Sequence, residues 1–344
     1  MKAMRLHGLG PITEHSDGPL VLDDIPVPTP GPNEVLIRVR VCGVCHTELD
    51  EIEGRTPPPV LPMTLGHQVI GDVVQVPDGC GLQPGQRVGV AWIASACGEC
   101  EYCQNNLPNL CPGFEATGRD RMGGYAEYMT AEPAFVYPVP EVIEDEAAAP
   151  LLCAGAIGFR SLRLCQLKNG QRLGLTGFGA SGHLVLKLAQ AIYPDSEVFV
   201  FARSELERAH ALALGAVWAG VSGEHPPHRL HAIIDTTPVW KPVLDALSIL
   251  LPGGRLVINA IRKEGHDVDQ WLRLSYPDQL WMEKEIKSVA NITPADVREF
   301  LDIAAFAGIR PEVQVYPLEA ANVALKELRA GMIKGAKVLR VSEA

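Results

Sequence analysis

Over about the first 150 residues, apolar and polar positions alternate with period two, and the alternating runs are short and separated by Pro/Gly turns. In "EVLIRVRV" (Glu34 to Val41), Ile37, Val39 and Val41 fall on one face and Arg38 and Arg40 on the other. "HQVIGDVVQV" and "GQRVGVAW" repeat the style on either side of the turn "LQPG" (Leu82 to Gly85). Many short strands with frequent turns predict a small barrel or sandwich. After Cys153 the period changes. "QRLGLTG" reads as a buried strand followed by a helix from Ala180 to Ile192. Next come a strand in "EVFVFA", a helix around Glu205 to Leu214, a strand in "HAIID", a helix near Val243 to Leu250 and a strand in "RLVINAI". Strands alternating with helices predict parallel βαβ units in a doubly wound sheet. From about Ala290 onward, "DVREFLDIAAF", "VQVYPL", "EAANVALKELRAG" and "KVLRV" return to the mixed pattern.

A chain of 344 residues exceeds one ordinary core, which agrees with two domains. Hydrophobic residues at 47% and charged residues at 21% are those of a globular protein. The net charge of −11 repels phosphate backbones and anionic membranes, so neither nucleic acid nor a membrane is the expected partner. The N-terminal "MKAMRLHGLGPITEH" lacks the apolar segment of a signal peptide. The longest nearly apolar run, Ala147 to Phe159, reads as too short to span a bilayer and contains Pro150. The expected location is cytoplasmic, and nine cysteines there indicate metal or catalytic use where they cluster. Cys42, Cys80 and Cys165 lie outside the clusters and read as small buried hydrophobes.

"LTGFGASGH" sets Gly177, Gly179 and Gly182 in a GxGxxG arrangement between a predicted strand and a predicted helix. Gly177 permits the tight turn, Gly179 allows close approach of a pyrophosphate, and Gly182 allows helix-on-strand packing. Ala180 and Ser181 open the helix, whose free N–H groups suit phosphates. An NAD site usually carries an acid about 20 residues on. Here Ala202, Arg203 and Ser204 stand at that place. A missing carboxylate and a nearby guanidinium favour NADP(H) over NAD(H), although Glu205 could hold the ribose instead.

Cys97, Cys100, Cys103 and Cys111 lie within "CGECEYCQNNLPNLC", with gaps of two, two and seven. Four thiolates close a tetrahedral Zn²⁺ site with no position left for substrate, which makes the site structural. Three further segments, "CGVCHTELD", "LGHQVIGD" and "LLCAG", complete the set.

In their order and spacing these segments, the four-cysteine lobe and the glycine turn resemble the zinc-dependent medium-chain alcohol dehydrogenases over nearly the whole chain. "VAWIASACGECEYC" resembles their microbial ethanol-oxidising branch. The resemblance implies an α/β + β fold: a GroES-like β-rich catalytic domain and a Rossmann doubly wound parallel-sheet domain, with the substrate cleft between them. The catalytic domain would cover 1–153 and 291–344 with a structural-zinc lobe at 95–113; the dinucleotide-binding domain would cover 154–290. It implies a homodimer or homotetramer, and two Zn²⁺ per chain. Cys45, His67 and Cys153 would hold the catalytic ion and leave one position open, where a bound Zn²⁺ supplies Lewis acidity to an alcohol or aldehyde oxygen. Thr47 matches the hydroxyl that passes the alcohol proton onward, and His46 a residue facing the cofactor pyrophosphate. Trp92 matches an aromatic that narrows the substrate pocket.

Five departures from the family pattern stand out. Asp50 occupies the end of the proton relay, where relatives often have histidine. Glu48 replaces an aspartate, and Gln68 replaces a glutamate after the metal histidine. Ala336 stands where a basic partner of that glutamate is usual, so both charges are lost together, as the cost of a lone buried charge requires. Ile52 stands where ethanol-oxidising relatives place tryptophan, which implies a pocket for longer alcohols.

The expected activity is hydride transfer between a primary alcohol, or its aldehyde, and NADP(H) or NAD(H). Two other readings are a zinc-free quinone or enoyl reductase of the same fold and a zinc-ribbon binding module. The first gives Cys45, His67 and Cys153 no task; the second lacks basic residues in the lobe.

Overall fold

The computed structural model describes residues 1–13, 18–331 and 335–342; the side chain of Ala180 also lies outside the described set. Two compact units result: Met1–Cys153 with Ile292–Ala344, and Ala154–Asn291.

The first unit is built on Val35–Val44, a strand of ten residues. Ile37, Val39 and Val41 are buried, while Arg38 and Arg40 turn outward to Asp72 on the neighbouring strand at 3.0 and 2.8 Å. Period-two patterning thus becomes an apolar face and a salt-bridged face. The strand pairs antiparallel with Val69–Gln75, Tyr128–Ala131 and Ala336–Arg340. The sheet runs Val136–Pro138, Arg87–Val90, Val69–Gln75, Val35–Val44, Ala336–Arg340, Val313–Pro317. Its core gathers Leu6, Ile37, Val39, Leu65, Val69, Val88 and Tyr125.

The second unit is a sheet of six parallel strands. Across the sheet they run Trp218–Gly220, Val198–Phe201, Leu173–Thr176, Leu230–Asp235, Leu250–Ile258, Glu285–Ser288. Numbered along the chain this is the order 3-2-1-4-5-6 of the Rossmann fold. The inner strands Leu173–Thr176 and Val198–Phe201 are buried at every position, as strands covered on both faces must be. Glu285–Ser288 has no counterpart among the strands read from sequence. It is an edge strand exposed at all four positions, so it carries no apolar period to detect.

One expectation is corrected. The apolar run around Ala147 to Phe159 belongs to a helical stretch of 21 residues, Asp145–Cys165, long and apolar enough by length and composition to cross a membrane. Most of it is buried within the protein, which accounts for its apolarity. Pro150 does not end it. Directly after Pro150 the helix widens into a π turn, Leu151–Gly155, and continues as Ala156–Cys165. A π turn accommodates the lost N–H and re-aims the residues it carries, here Cys153.

Candidate functional site

Three residues far apart in sequence converge in the first unit. Cys45 Sγ lies 3.6 Å from His67 Nε2, and His67 Nε2 lies 3.3 Å from Cys153 Sγ. All three ligand atoms fall within 4.8 Å of one another. A tetrahedral zinc with bonds of about 2.3 Å to sulfur and 2.0–2.1 Å to nitrogen demands S–N edges of about 3.5 Å. The donor set and its spacing therefore fit that ion.

Local structure explains each position. Cys45 is the N-cap of the helix His46–Ile52, where its sulfur accepts the Thr47 N–H at 3.4 Å. Glu48 reaches back to the Cys45 N–H at 2.7 Å and so locks the turn. The other Glu48 oxygen lies 2.7 Å from His67 Nδ1, approaching off the N–H axis, with both side chains fully or almost fully buried. His67 follows Gly66, whose φ of +95° suits glycine and whose Cβ would sit 2.4 Å from the Tyr125 ring. Cys153 comes from the π turn. Hydrogen bonding to Cys153, then burial and the charge of Glu48, push the Cys45 thiol well above its usual range. Burial would lower the His67 pKa, but Glu48 and Cys45 outweigh it and raise it. Such a crowded donor set is relieved by a divalent cation.

The four lobe cysteines also gather within 4.8 Å of one another. Cys97 Sγ is 3.4 Å from Cys111 Sγ and 3.9 Å from Cys103 Sγ, close to the edge of about 3.8 Å that a tetrahedral zinc–thiolate site requires. Backbone N–H groups of Cys100 and Glu99 hold the Cys97 thiol down at about 6.

In the second unit, Gly177 closes the strand Leu173–Thr176 with φ +84°, and a Cβ there would meet Thr236 Oγ1 at 2.5 Å. A Cβ on Gly182 would meet the Gly177 carbonyl at 2.7 Å, whereas Gly179 faces open space. The turn is thus closed where helix meets strand and open where a pyrophosphate would approach. The helix Ala180–Ile192 begins directly after it, with Ser181 in its first turn and the Ala180 side chain outside the described residues. Arg203 and Ser204 are exposed beyond the end of Val198–Phe201, with Ser204 capping the helix Glu205–Ala213.

Comparison with known proteins places this geometry. The family described as "Alcohol dehydrogenase GroES-like domain" matches residues 31–141. The probable alcohol dehydrogenase AdhA of Mycobacterium tuberculosis is 41% identical over 347 residues, covering 99% of this chain and 97% of that one. The chain belongs to the zinc-type medium-chain alcohol dehydrogenases. An alcohol dehydrogenase of Moraxella sp. is 31% identical over 98% of this chain and 99% of its own. The alcohol dehydrogenase structure from Aeropyrum pernix superposes with a TM-score of 0.84 at 25% identity, covering 99% of this chain and 100% of that one.

Within this alcohol dehydrogenase the remaining expected residues fall unevenly. Trp92 meets His67 at 6.4 Å between ring centroids, edge to face, and also packs on Phe114. Thr47 is half-buried beside Cys45, and His46 is exposed. Gln68 is buried, with its side chain folded over Gly43. Ala336 opens the strand Ala336–Arg340, and its buried neighbour Lys337 pairs with the half-buried Glu327. Asp50 is buried and accepts Arg55 Nε at 2.5 Å. Ile52 is fully buried within the hydrophobic core of the first unit.

Two groups were missed by the sequence reading. Glu51 is a fully buried carboxyl one turn beyond Glu48; burial, then the charge of Glu48, push its pKa well above the usual carboxylate range. Asp235, buried at the end of Leu230–Asp235, accepts Thr176 Oγ1 at 2.6 Å and pairs with Lys263 Nζ. The acid of "HAIID" at a strand's C-terminal end was the available signal for the second; nothing in the pattern marked the first.

Proposed function

We propose that this alcohol dehydrogenase interconverts primary alcohols and their aldehydes at Cys45, His67 and Cys153, with NADP(H) favoured over NAD(H). The single observation that carries the reading is the convergence of these three ligand atoms, backed by the buried Glu48 against His67 Nδ1. When bound there, zinc supplies Lewis acidity to the substrate oxygen, and the nicotinamide cofactor accepts or donates the hydride. The protein's own part is positional. Glu48 orients His67 so that Nε2 faces the two sulfurs. The Thr47 hydroxyl is the first proton carrier away from the substrate oxygen, and Trp92 walls the site beside His67. Cys97, Cys100, Cys103 and Cys111 would hold a second zinc with no open position, serving structure alone. Gly177, Gly179, Ala180, Ser181 and Gly182 form the pyrophosphate turn, and exposed Arg203 with Ser204 supports a 2′-phosphate. Assembly as a homodimer or homotetramer in the cytoplasm rests on the family resemblance and the cysteine usage.

Cys153→Ala tests the assignment. Alcohol oxidation is expected to vanish while circular dichroism and the melting transition persist; near-normal turnover in a folded variant would overturn it.

A further inference from the structure

The helix His46–Ile52 carries one carboxyl for which neither the metal site nor the fold has a use. Glu51 is fully buried, and neither of its oxygens has a hydrogen-bond partner among the described residues. It follows Glu48 by three positions, and i and i+3 share a helix face, so it stands on the side where Glu48 meets His67 at 2.7 Å. Arg119, whose field reaches Glu51, is itself bonded to Asp120 at 3.1–3.2 Å. Two more buried polar atoms, without partners among the described residues, lie on the other side of His67. Trp92 Nε1 is carried by the ring packed on His67, and Thr117 Oγ1 by the residue whose N–H bonds the Trp92 carbonyl at 2.8 Å. Buried polar groups without partners are costly, and where they gather beside a reacting centre a ligand is what completes them.

The chemistry of these atoms selects the ligand group. Glu51 accepts and, as the neutral acid, also donates; Trp92 Nε1 can only donate, and Thr117 does both. A hydroxyl can donate to the first and accept from the second; an ammonium has no lone pair for the indole. Burial and Glu48 also hold Glu51 toward its neutral acid, which suits a neutral hydroxyl better than a cation.

We infer that Glu51 is a specificity-determining residue that binds a second hydroxyl on the substrate, so that the preferred alcohols are diols or larger polyols. The inference deepens the alcohol dehydrogenase reading above and rests on it.

The test uses zinc-replete enzyme and three probes of equal size: 1-butanol, 1,3-propanediol and 3-amino-1-propanol. Cofactor-linked kcat/KM is measured for wild type, Glu51→Leu, Glu51→Gln and Trp92→Phe. The diol-to-butanol ratio is expected to fall on the order of 10- to 100-fold in Glu51→Leu, and to be largely kept in Glu51→Gln, whose amide still accepts and donates. Trp92→Phe, which keeps a ring and loses only the donor, is expected to lower the same ratio several-fold; it decides the matter if Glu51→Leu does not fold. Ratios unchanged in the folded variants would overturn the inference. So would a wild-type preference for the amino alcohol that Glu51→Gln abolishes, since that marks an ammonium partner. Turnover of 1-butanol by wild type upholds the alcohol dehydrogenase reading whatever the ratios show, and no turnover of any probe removes both.

Discussion

Glu48 is the residue through which the helix His46–Ile52 and His67 constrain each other. Its two oxygens lie 2.7 Å from the Cys45 N–H and 2.7 Å from His67 Nδ1, and both its own side chain and that of His67 are buried. Glu48→Ala leaves the Cys45 N–H without its acceptor, a penalty of about 1–3 kcal/mol, and removes the charge beside His67 Nδ1. Part of this is returned because a buried charge is also removed. Loss of an outer partner to a metal-bound histidine usually costs about 10- to 100-fold in metal affinity, equivalent to about 1.4–2.7 kcal/mol. The loss should fall on the Cys45, His67 and Cys153 site, since that is where both Glu48 oxygens are held. The assay is zinc content by mass spectrometry after dialysis against graded chelator, with circular dichroism to confirm the fold. Wild type should release one zinc readily and one only under harsh conditions. Glu48→Ala should release the first at chelator concentrations about 10- to 100-fold lower and the second unchanged. Superimposable release curves would refute the argument, as would earlier release from the lobe.

Further outcomes bear on the cofactor turn and the second unit. Gly179→Ala meets no atom within 4 Å, so it should leave the melting temperature unchanged and weaken cofactor binding; unaltered cofactor affinity would count against the pyrophosphate role. Gly182→Ala drives a Cβ to 2.7 Å from the Gly177 carbonyl and should destabilise by about 1–3 kcal/mol, read by denaturant unfolding. Arg203→Glu should weaken NADP(H) more than NAD(H) in fluorescence titrations, and equal effects would sink the 2′-phosphate assignment. Lys263→Met strands the buried Asp235 carboxylate and should cost about 3–5 kcal/mol; a melting curve matching wild type would show the pair to be dispensable.

How much of the site was legible depended on how local its signal was. The cysteine lobe is a signal of spacing within fifteen residues, and "LTGFGASGH" couples its glycines to a strand before and a helix after. In both, the geometry is set by neighbours in the chain, so the four sulfurs gather and the glycines lie between strand and helix. Asp50 and Ile52 were assigned by position in a motif, yet their surroundings are set by Arg55 and by the packed core, which no motif encodes. Glu285–Ser288 escaped because an exposed edge strand has no buried face to leave a pattern.

The sequence by itself determined the alternation of elements, the turn chemistry and the ligand types, because side-chain period and backbone freedom act over a few residues. Only the tertiary structure brought Cys45, His67 and Cys153 within 4.8 Å, since each sits on a different element and their meeting follows from how a helix N-cap, a glycine turn and a π turn pack together. Burial likewise belongs to the fold. Glu51 reads as one more acid on a polar helix until packing removes its water and leaves its carboxyl on the Glu48 face without a hydrogen-bond partner among the described residues.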